Sequence, residues 1–176
     1  MAKSDSFFIR ATVNGGKASA FIQTAIDLGA YVDALGKSVM RIHNIAVDVT
    51  DENGRSLDIL AGGSGGEAKN AAAQFQLTTQ SQTDFVLATN KSVVAGGIVN
   101  ACNLDNSDAV ASIVTESFSN LPQLWTNGYL IAVDTMYLGG SGTTGWKEDA
   151  NITVTMECTV ESMSQAAAMA LALSQQ

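Results

Sequence analysis

Few residues in this sequence have both a type and a spacing that could support catalysis. The run Gly62–Gly66 reads Gly-Gly-Ser-Gly-Gly and fits the G-x-S-x-G pattern of a serine nucleophile, which would be Ser64. That pattern needs a tight strand-to-helix turn and, in that fold, a downstream histidine, whereas the one histidine, His43, lies upstream. Four glycines around Ser64 also predict a loop too loose to hold a strained nucleophile. A hydrolase using Ser64 and His43 is therefore our third hypothesis.

Two other patterns are only partial matches to phosphate and metal sites. Gly36-Lys37-Ser38 looks like the end of a phosphate-binding loop, but that loop needs a glycine where Tyr31 stands and a helix where a strand is expected. Asp48, Asp51 and Glu52 could meet a calcium ion together with backbone carbonyls, although they do not follow the calcium-hand spacing. Acidic turns of this kind are usually solvated. We predict no catalytic, cofactor or metal site.

The histidine, the cysteines and the tryptophans have structural interpretations that need no chemistry. His43 alone cannot build a zinc site, and the two cysteines are not spaced to help it. We expect Cys158 to pack as a small hydrophobic residue and Cys102 to lie in a polar loop, with no disulfide indicated. Trp125 and Trp146 could line a sugar site, but aromatic residues make up only 6% of the chain. Packing in the core or at an interface is therefore favoured.

The composition favours a folded, acidic protein of ordinary domain size. The chain has 176 residues, of which 46% are hydrophobic and 15% charged, so it has ample material for a core. Its net charge is −8 and its nine basic residues are scattered, which argues against a surface that neutralises phosphates. The start of the sequence lacks the apolar run of a secretory signal. Residues 18–35, the longest mostly apolar stretch, are too polar to span a bilayer.

Alternation of apolar and polar residues is clearest over Asn151–Met163 and predicts a half-buried central strand. One parity carries Ile152, Val154, Met156, Cys158 and Val160, and the other carries Thr153, Thr155, Glu157, Thr159 and Glu161. A helix would spread these residues around its whole circumference. Ser164 follows as a candidate N-cap, and an alanine-rich helix is predicted from Gln165 to Leu173.

The rest of the chain mostly alternates as well. We predict further strands over residues 7–13, 39–50, 71–79, 85–94 and 129–138, and a short strand over 56–61. The phase of the second strand slips at His43-Asn44, which predicts a β-bulge. Gly62–Gly66 and Gly139–Gly145 are predicted to be glycine-rich loops.

Two segments have apolar spacings that predict helices. The first is Lys17–Leu35, ended by Gly36, with apolar residues three and four positions apart. These residues are Phe21, Ala25, Leu28, Val32 and Leu35. The second begins at the cap Asn106, ends at Leu121-Pro122 and has a seam of Val110, Val114 and Phe118.

The predicted fold is all-β, with seven or eight strands and short helices in the connections. Two antiparallel sheets packed as a β-sandwich are the natural arrangement, and a single jelly roll of two Greek keys is the version we expect. We expect one domain over residues 1–176, with a short helical tail from about residue 164. The sequence alone does not determine the strand order.

The last third of the chain resembles a known family. Residues 125–139, a Gly/Ser/Thr loop, the strand over 151–163 and the tail over 164–176 look like the ending of small single jelly-roll capsid proteins of tailless icosahedral viruses of archaea and bacteria. The resemblance implies a virion shell subunit that forms symmetric capsomers. Many small RNA-virus capsid proteins carry a basic N-terminal arm, whereas this chain has none and is acidic. The resemblance therefore favours the DNA-virus type, with the genome or membrane held by other proteins.

The leading hypothesis is a capsid subunit that acts by self-assembly in a virion put together in the host cytoplasm, without a signal peptide. Its expected partners are copies of itself, with other capsid proteins and an internal membrane as further candidates and no direct binding of nucleic acid. Candidate subunit-contact residues are Phe8, Trp125, Leu171 and Leu173. The alternative is a β-sandwich binding module, carbohydrate-binding or adhesin-like, that would use Trp125 or Trp146. Neither hypothesis requires a cofactor or an enzymatic activity.

Overall fold

The computed structural model describes residues 5–33, 38–60, 69–103, 113–120 and 125–175. In these ranges the chain forms nine strands and one α-helix. They are β1 (Phe7–Asn14), β2 (Ile22–Asp27), β3 (Ser38–Thr50), β4 (Lys69–Thr78), β5 (Val93–Asn103), β6 (Ile113–Ser119), β7 (Tyr129–Ile131), β8 (Thr135–Gly142), β9 (Asn151–Ser162) and α1 (Gln165–Ser174).

The strands form two antiparallel sheets with the connectivity of a jelly roll. The four-stranded sheet has the order β1-β9-β3-β7, and the five-stranded sheet has the order β2-β8-β4-β5-β6. Eight of these strands make the two interlocking Greek keys of a jelly roll, and β6 is added at one edge. The predicted fold class, an all-β antiparallel sandwich of the jelly-roll type, is confirmed by this strand order.

β9 occupies the centre of the four-stranded sheet, as its alternation predicts. It pairs with β1 on one side and with β3 on the other. Ile152, Val154 and Met156 face the core and are fully buried. The predicted bulge is confirmed, because the β3–β9 register shifts between Ile42 and Asn44. The extra residue at this bulge lets both halves of β3 point their apolar residues inward.

The core lies between the two sheets and receives side chains from both inner faces. The largest fully buried side chains include Met40, Ile42, Ile45, Phe75, Leu77, Met136 and Leu138. Burying one such side chain is worth about 1.5–3 kcal/mol. The sandwich is therefore stabilised by strands that are far apart in the sequence.

The predicted helix over residues 17–35 is wrong. Residues 22–27 form β2, which pairs with β8 from Ile22↔Gly140 to Asp27↔Thr135. A turn follows, in which the Asp27 carboxylate accepts a hydrogen bond from the Gly29 amide. Leu35 and Gly36 lie outside the described residues.

Five other predicted elements also differ from the structure. The predicted strand over 129–138 is interrupted after Ile131 and forms β7 and β8, which lie in different sheets. The predicted glycine-rich loop Gly139–Gly145 is part of β8 as far as Gly142. The helix predicted after Asn106 is wrong over residues 113–119, because Val114 and Phe118 lie in β6. Residues 104–112 lie outside the described ranges. Most of the predicted strand over 85–94 is a loop, and β5 begins at Val93. The predicted strand over 56–61 is reduced to the single bridge Ile59↔Trp146.

Candidate functional site

Helix α1 lies against the outer face of the four-stranded sheet, near β7. The Ser164 hydroxyl caps it by accepting a hydrogen bond from the Ala167 amide at 3.4 Å, as predicted from the sequence. The inner side of α1 places Ala168 in a small cluster with Val39 and Ala132, and all three are fully buried. Leu171 packs against this cluster and is half-buried. The helix is therefore fixed to the sheet along one side.

Gln175 fastens the end of α1 to β7. Its side-chain oxygen accepts a hydrogen bond from the Ala132 amide at 3.1 Å, and its side-chain nitrogen donates to the Leu130 carbonyl at 2.5 Å. The Gln175 carbonyl also accepts from the Thr79 hydroxyl at 2.6 Å, which joins it to the five-stranded sheet. The side-chain amide of Gln175 thus accepts from one backbone group and donates to another at β7, as the backbone of a neighbouring strand would. Gln175 is only 3% exposed, so the attachment is protected from water.

The opposite side of α1 is apolar and open to solvent. The exposed residues Ala166, Met169, Ala170 and Leu173 follow the i, i+3, i+4, i+7 spacing of one helix face, and we call them the outer seam. Met169 is 44% exposed and Leu173 is 67% exposed. None of the residues 162–176 is charged. A helix that is apolar on both sides normally has both sides covered.

A buried ion pair supports the neighbouring part of this surface. The Arg41 guanidinium on β3 bonds to the Glu161 carboxylate on β9 through two nitrogen–oxygen contacts of 2.7 and 2.8 Å. The Glu161 side chain is 1% exposed and that of Arg41 is 14% exposed. A further guanidinium nitrogen of Arg41 donates to the Asn127 carbonyl. One side chain thus joins two strands to the turn that carries Trp125.

The Trp125 turn lies tightly on β3. Gly128 has a φ of +63°, and a side chain there would collide with the Ile42 carbonyl, so both conformation and space require glycine. The Trp125 ring stacks on Tyr129 with centroids 5.7 Å apart and remains 48% exposed. A groove of about 270 Å³ lies between this turn and α1. It is lined by Arg41, Trp125, Gly128, Tyr129, Leu130, Leu171, Ser174 and Gln175.

Together, the outer seam, Trp125 and this groove form what we call the α1–Trp125 surface. Burial raises the pKa of the Tyr129 hydroxyl, while its hydrogen bond with Gln175 acts in the opposite direction. The hydrogen bond to Glu161 raises the pKa of Arg41, so the guanidinium remains charged. The charged groups at this surface are Arg41 and Glu161, which pair with each other beneath it. The large side chains exposed on it, Trp125, Met169 and Leu173, are apolar.

The predicted contact residues are distributed over two edges of the four-stranded sheet. Leu173 and Trp125 are exposed on the α1–Trp125 surface, whereas Leu171 faces inward and is half-buried. Phe8 lies on β1, at the opposite edge, and is 56% exposed with the Arg10 guanidinium 5.7 Å from its ring centroid. The structure brings Trp125 and Leu171 together at one groove, places Leu173 on the solvent-exposed side of the same helix, and leaves Phe8 separate.

The residues weighed for catalysis and metal binding are not assembled into a site in the described part of the chain. Ser64 lies outside the described residues. His43 is hydrogen-bonded through Nε2 to the Thr159 hydroxyl at 2.9 Å. The Asp51 carboxylate accepts from the Asn53 and Arg55 amides, which lowers its pKa. Among the described residues, no group of three His, Cys, Asp or Glu side chains could hold a metal ion.

Two sequence-based expectations about single residues need correction. Trp146 is buried, and its indole nitrogen donates to the Ala72 carbonyl at 2.8 Å, so it is not available to a sugar. Cys102 lies in β5 and not in a loop, because β5 extends to Asn103. Both Cys102 and Cys158 are free thiols, and Cys158 is fully buried as expected.

A second opening lies between the sheets at the β6 edge. This cavity of about 240 Å³ is lined mainly by apolar side chains, including Val47, Val99 and Phe118. Glu116 also lines it, from the middle of the edge strand. An inward-pointing charge on an edge strand discourages pairing with another strand. We therefore place the candidate contact at the α1–Trp125 surface.

Sequence reasoning did not identify four residues that build this surface. Arg41, Glu161 and Gln175 make their contacts with residues that are distant in the sequence, and Met169 was treated as part of an alanine-rich helix. One signal was available, because Glu161 stands near the end of a predicted strand and just before a predicted helix, without a nearby basic residue. A carboxylate in that position needs a partner from elsewhere if it becomes buried.

No protein-family model matches this sequence, and the comparison with curated proteins finds no match. The structure of Cocksfoot mottle virus aligns over 94% of this chain and 98% of that chain, with 7% sequence identity and a TM-score of 0.39. The structure of Desmodium yellow mottle tymovirus aligns over 90% of this chain and 87% of that chain, with 7% identity and a TM-score of 0.35. The structure of Maize Chlorotic Mottle Virus aligns over 90% and 95%, with 6% identity and a TM-score of 0.30.

All three TM-scores lie below 0.5, and neither the fold nor the function of this chain is inferred from these structures. The jelly-roll assignment rests on the strand order of the two sheets. Within the described ranges, no helix has the length and apolar character needed to cross a membrane.

Proposed function

We propose that this protein is a structural subunit of an icosahedral virion and that it acts by associating with copies of itself. The observation that carries the proposal is the α1–Trp125 surface, which is apolar, free of exposed charge and fixed to a jelly roll. Contiguous exposed apolar surface usually marks a site of association. Arg41 and Gln175 hold this surface in place before any partner arrives, which lowers the ordering entropy that association must overcome.

A second apolar contact supports assembly beyond a dimer. Phe8 projects from β1, at the opposite edge of the sheet from Trp125 and Leu173. A single two-fold contact stops at a dimer, whereas a closed shell needs further contacts on each subunit. Two separate apolar positions on one sheet support the proposal that each subunit makes more than one contact.

The kind of virion is a narrower part of the proposal. The resemblance of residues 125–176 supports a capsid subunit of tailless icosahedral viruses of archaea and bacteria. We further propose that one domain over residues 1–176 is the assembling unit and that its role is not enzymatic. Other capsid proteins and an internal membrane are proposed neighbours in the virion. The net charge of −8 supports a role without direct genome contact, and gel-shift titration at low salt tests this point.

Self-assembly is tested with the purified chain by light scattering and negative-stain microscopy over a range of concentrations and salts. We expect capsomers or shells for the native sequence and their loss in Leu173→Glu, which places a carboxylate on the α1–Trp125 surface. Leu87→Glu is the matched control, because Leu87 is 80% exposed but lies in the β4–β5 loop. A native chain that stays monomeric under all these conditions contradicts the proposal.

A binding module is the second candidate, and Trp125 is the observation that favours it. The half-exposed Trp125 ring borders a groove of about 270 Å³, which is the kind of platform on which a sugar ring can stack. A glycan array distinguishes the two functions. Binding that is lost in Trp125→Ala supports the module, and the absence of binding by a chain that forms particles supports the capsid subunit.

A further inference from the structure

We propose that α1 packs antiparallel against α1 of a second copy, about a two-fold axis that passes between Met169 and Ala170. This inference rests on the proposed self-assembly and specifies one of its contacts. The outer seam is the surface involved, and a second copy of this chain is its partner.

The order of large and small residues along the outer seam makes it complementary to itself. In an antiparallel pair about this axis, Met169 of one copy faces Ala170 of the other. Leu173 of each copy likewise faces Ala166 of the other copy. Each large side chain therefore fits over a small one, as in ridges-into-grooves packing. A parallel pair would instead set Met169 against Met169 and leave alanine against alanine, with a gap between them.

Electrostatics favour the same partner and orientation. Each copy carries a net charge of −8, but no side chain of residues 162–176 is charged, so two copies meet there without apposing like-charged side chains. The antiparallel arrangement also places the positive N-terminal end of one helix dipole beside the negative C-terminal end of the other. A lipid surface is less suitable, because the helix has no Lys or Arg for anionic headgroups.

The size of the seam limits the strength of the pair. A helix of ten residues is about 15 Å long, so its contact is well below the roughly 800 Å² per partner of a standard interface. Trp125 and its groove lie beside the helix and can extend the contact. We expect a weak dimer in dilute solution that becomes well populated at high concentration or within particles.

Cysteine cross-linking of the full chain tests the geometry, in a Cys102→Ser background that removes the more exposed native thiol. Ala170→Cys lies beside the proposed axis and should give disulfide-linked dimers under mild oxidation. Ala167→Cys is the matched control, since it is exposed on α1 but lies off the outer seam. In the antiparallel pair, chains with Ala166→Cys alone should not cross-link. Mixed with Leu173→Cys chains, they should form the heterodimer.

The inference would be overturned by equal cross-linking at Ala167→Cys and Ala170→Cys, or by efficient homodimers of Ala166→Cys. Flotation of the protein with anionic vesicles that Leu173→Glu abolishes would also overturn it. Circular dichroism of every variant shows whether the fold is retained. Particles without the Ala170→Cys cross-link would refute this contact and leave the proposed function standing. Cross-linked dimers that never form particles would support the contact and count against the proposed function.

Discussion

The two outer faces of this sandwich are built in opposite ways. Apart from Lys69, the three inner strands of the five-stranded sheet, β8, β4 and β5, contain no charged residue. Their outward positions include Ala72, Gln74, Gln76, Gly96, Asn100, Gly139 and Ser141. The strands of the four-stranded sheet carry charged side chains, yet the most buried of these, Glu161, is paired with Arg41 and supports the apolar α1–Trp125 surface.

The two outer faces differ in where their charged side chains lie and in where their apolar side chains are exposed. On the five-stranded face, Gln74, Asn100 and Ser141 are at least partly exposed to water, whereas Gln76 is buried beneath the β4–β5 loop. The α1–Trp125 surface is apolar outside and ionic beneath, so a partner can cover it without removing water from a charge. We therefore expect the exposed part of the first face to tolerate substitution and the second face to depend on a few residues.

The largest expected effect is the loss of the buried ion pair. Arg41→Met leaves the Glu161 carboxylate buried without its charged partner, and removing one partner of a buried pair costs about 3–5 kcal/mol. Urea unfolding measures the change. Asp58→Asn is the control, because it removes the half-exposed contact of Lys147 with Asp58 at 3.2 Å, and such pairs contribute little. Equal destabilisation by both variants would mean that burial does not distinguish these two pairs.

A smaller effect is expected on the five-stranded face, where Gln76 holds the β4–β5 loop. Its side chain donates to the Val86 carbonyl at 2.7 Å and accepts from the Val86 amide at 3.0 Å. Gln76→Ala removes both hydrogen bonds and should lower the free energy of unfolding by about 1–3 kcal/mol. Hydrogen exchange should quicken at the Val86 amide. Gln74→Ala on the same strand serves as the control, and a loss as large there would contradict the assignment to this loop.

The smallest effect at neutral pH concerns the two thiols. Burial, with a lesser contribution from Glu157, raises the pKa of Cys158 to about 12. The unfolded thiol has a pKa of about 8.5, so between these values the unfolded chain releases a proton that the folded chain keeps. The free energy of unfolding should therefore fall as pH rises through this range, by at most about 1.4 kcal/mol per pH unit, and should be unaffected below it.

Urea unfolding at pH 7 to 10 measures this dependence. Cys158→Ala should make the slope shallower. Ellman's reagent at pH 8 should modify Cys102 in the folded chain and both thiols in denaturant. Rapid modification of Cys158 in the folded chain would show that the strand does not protect it.

The sequence predicts those strands in which apolar and polar residues alternate without interruption. β9 is the clearest example, and its position between β1 and β3 explains why one parity is fully buried. The predicted helices fail for a geometric reason, since a spacing of four residues keeps side chains on one face of a helix and also on one face of a strand. Val114 and Phe118 share a face of β6 in this way. Phe21, just before β2, and Ala25, within it, have the same four-residue spacing, which fits a helix and a strand equally well.

The candidate contact surface was only partly predictable. Trp125 could be proposed because interface packing is a favoured use of tryptophan, and Leu173 because it is a large apolar residue in the alanine-rich tail. The sequence could not show which side of α1 faces the sheet, because the helix is apolar on both sides. Arg41 and Gln175 were missed because each acts through backbone or carboxylate groups contributed by distant strands, and pairing of that kind is visible only in three dimensions.

The hydrogen bonds of the Arg41 guanidinium also bear on when the α1–Trp125 surface forms during folding. Its two partners, Glu161 and Asn127, are 120 and 86 positions away along the chain. Such long-range meetings come late when a β protein folds. We therefore expect the α1–Trp125 surface to be complete only after the sandwich has closed, so that under the proposed self-assembly an incompletely folded chain would not yet present this contact.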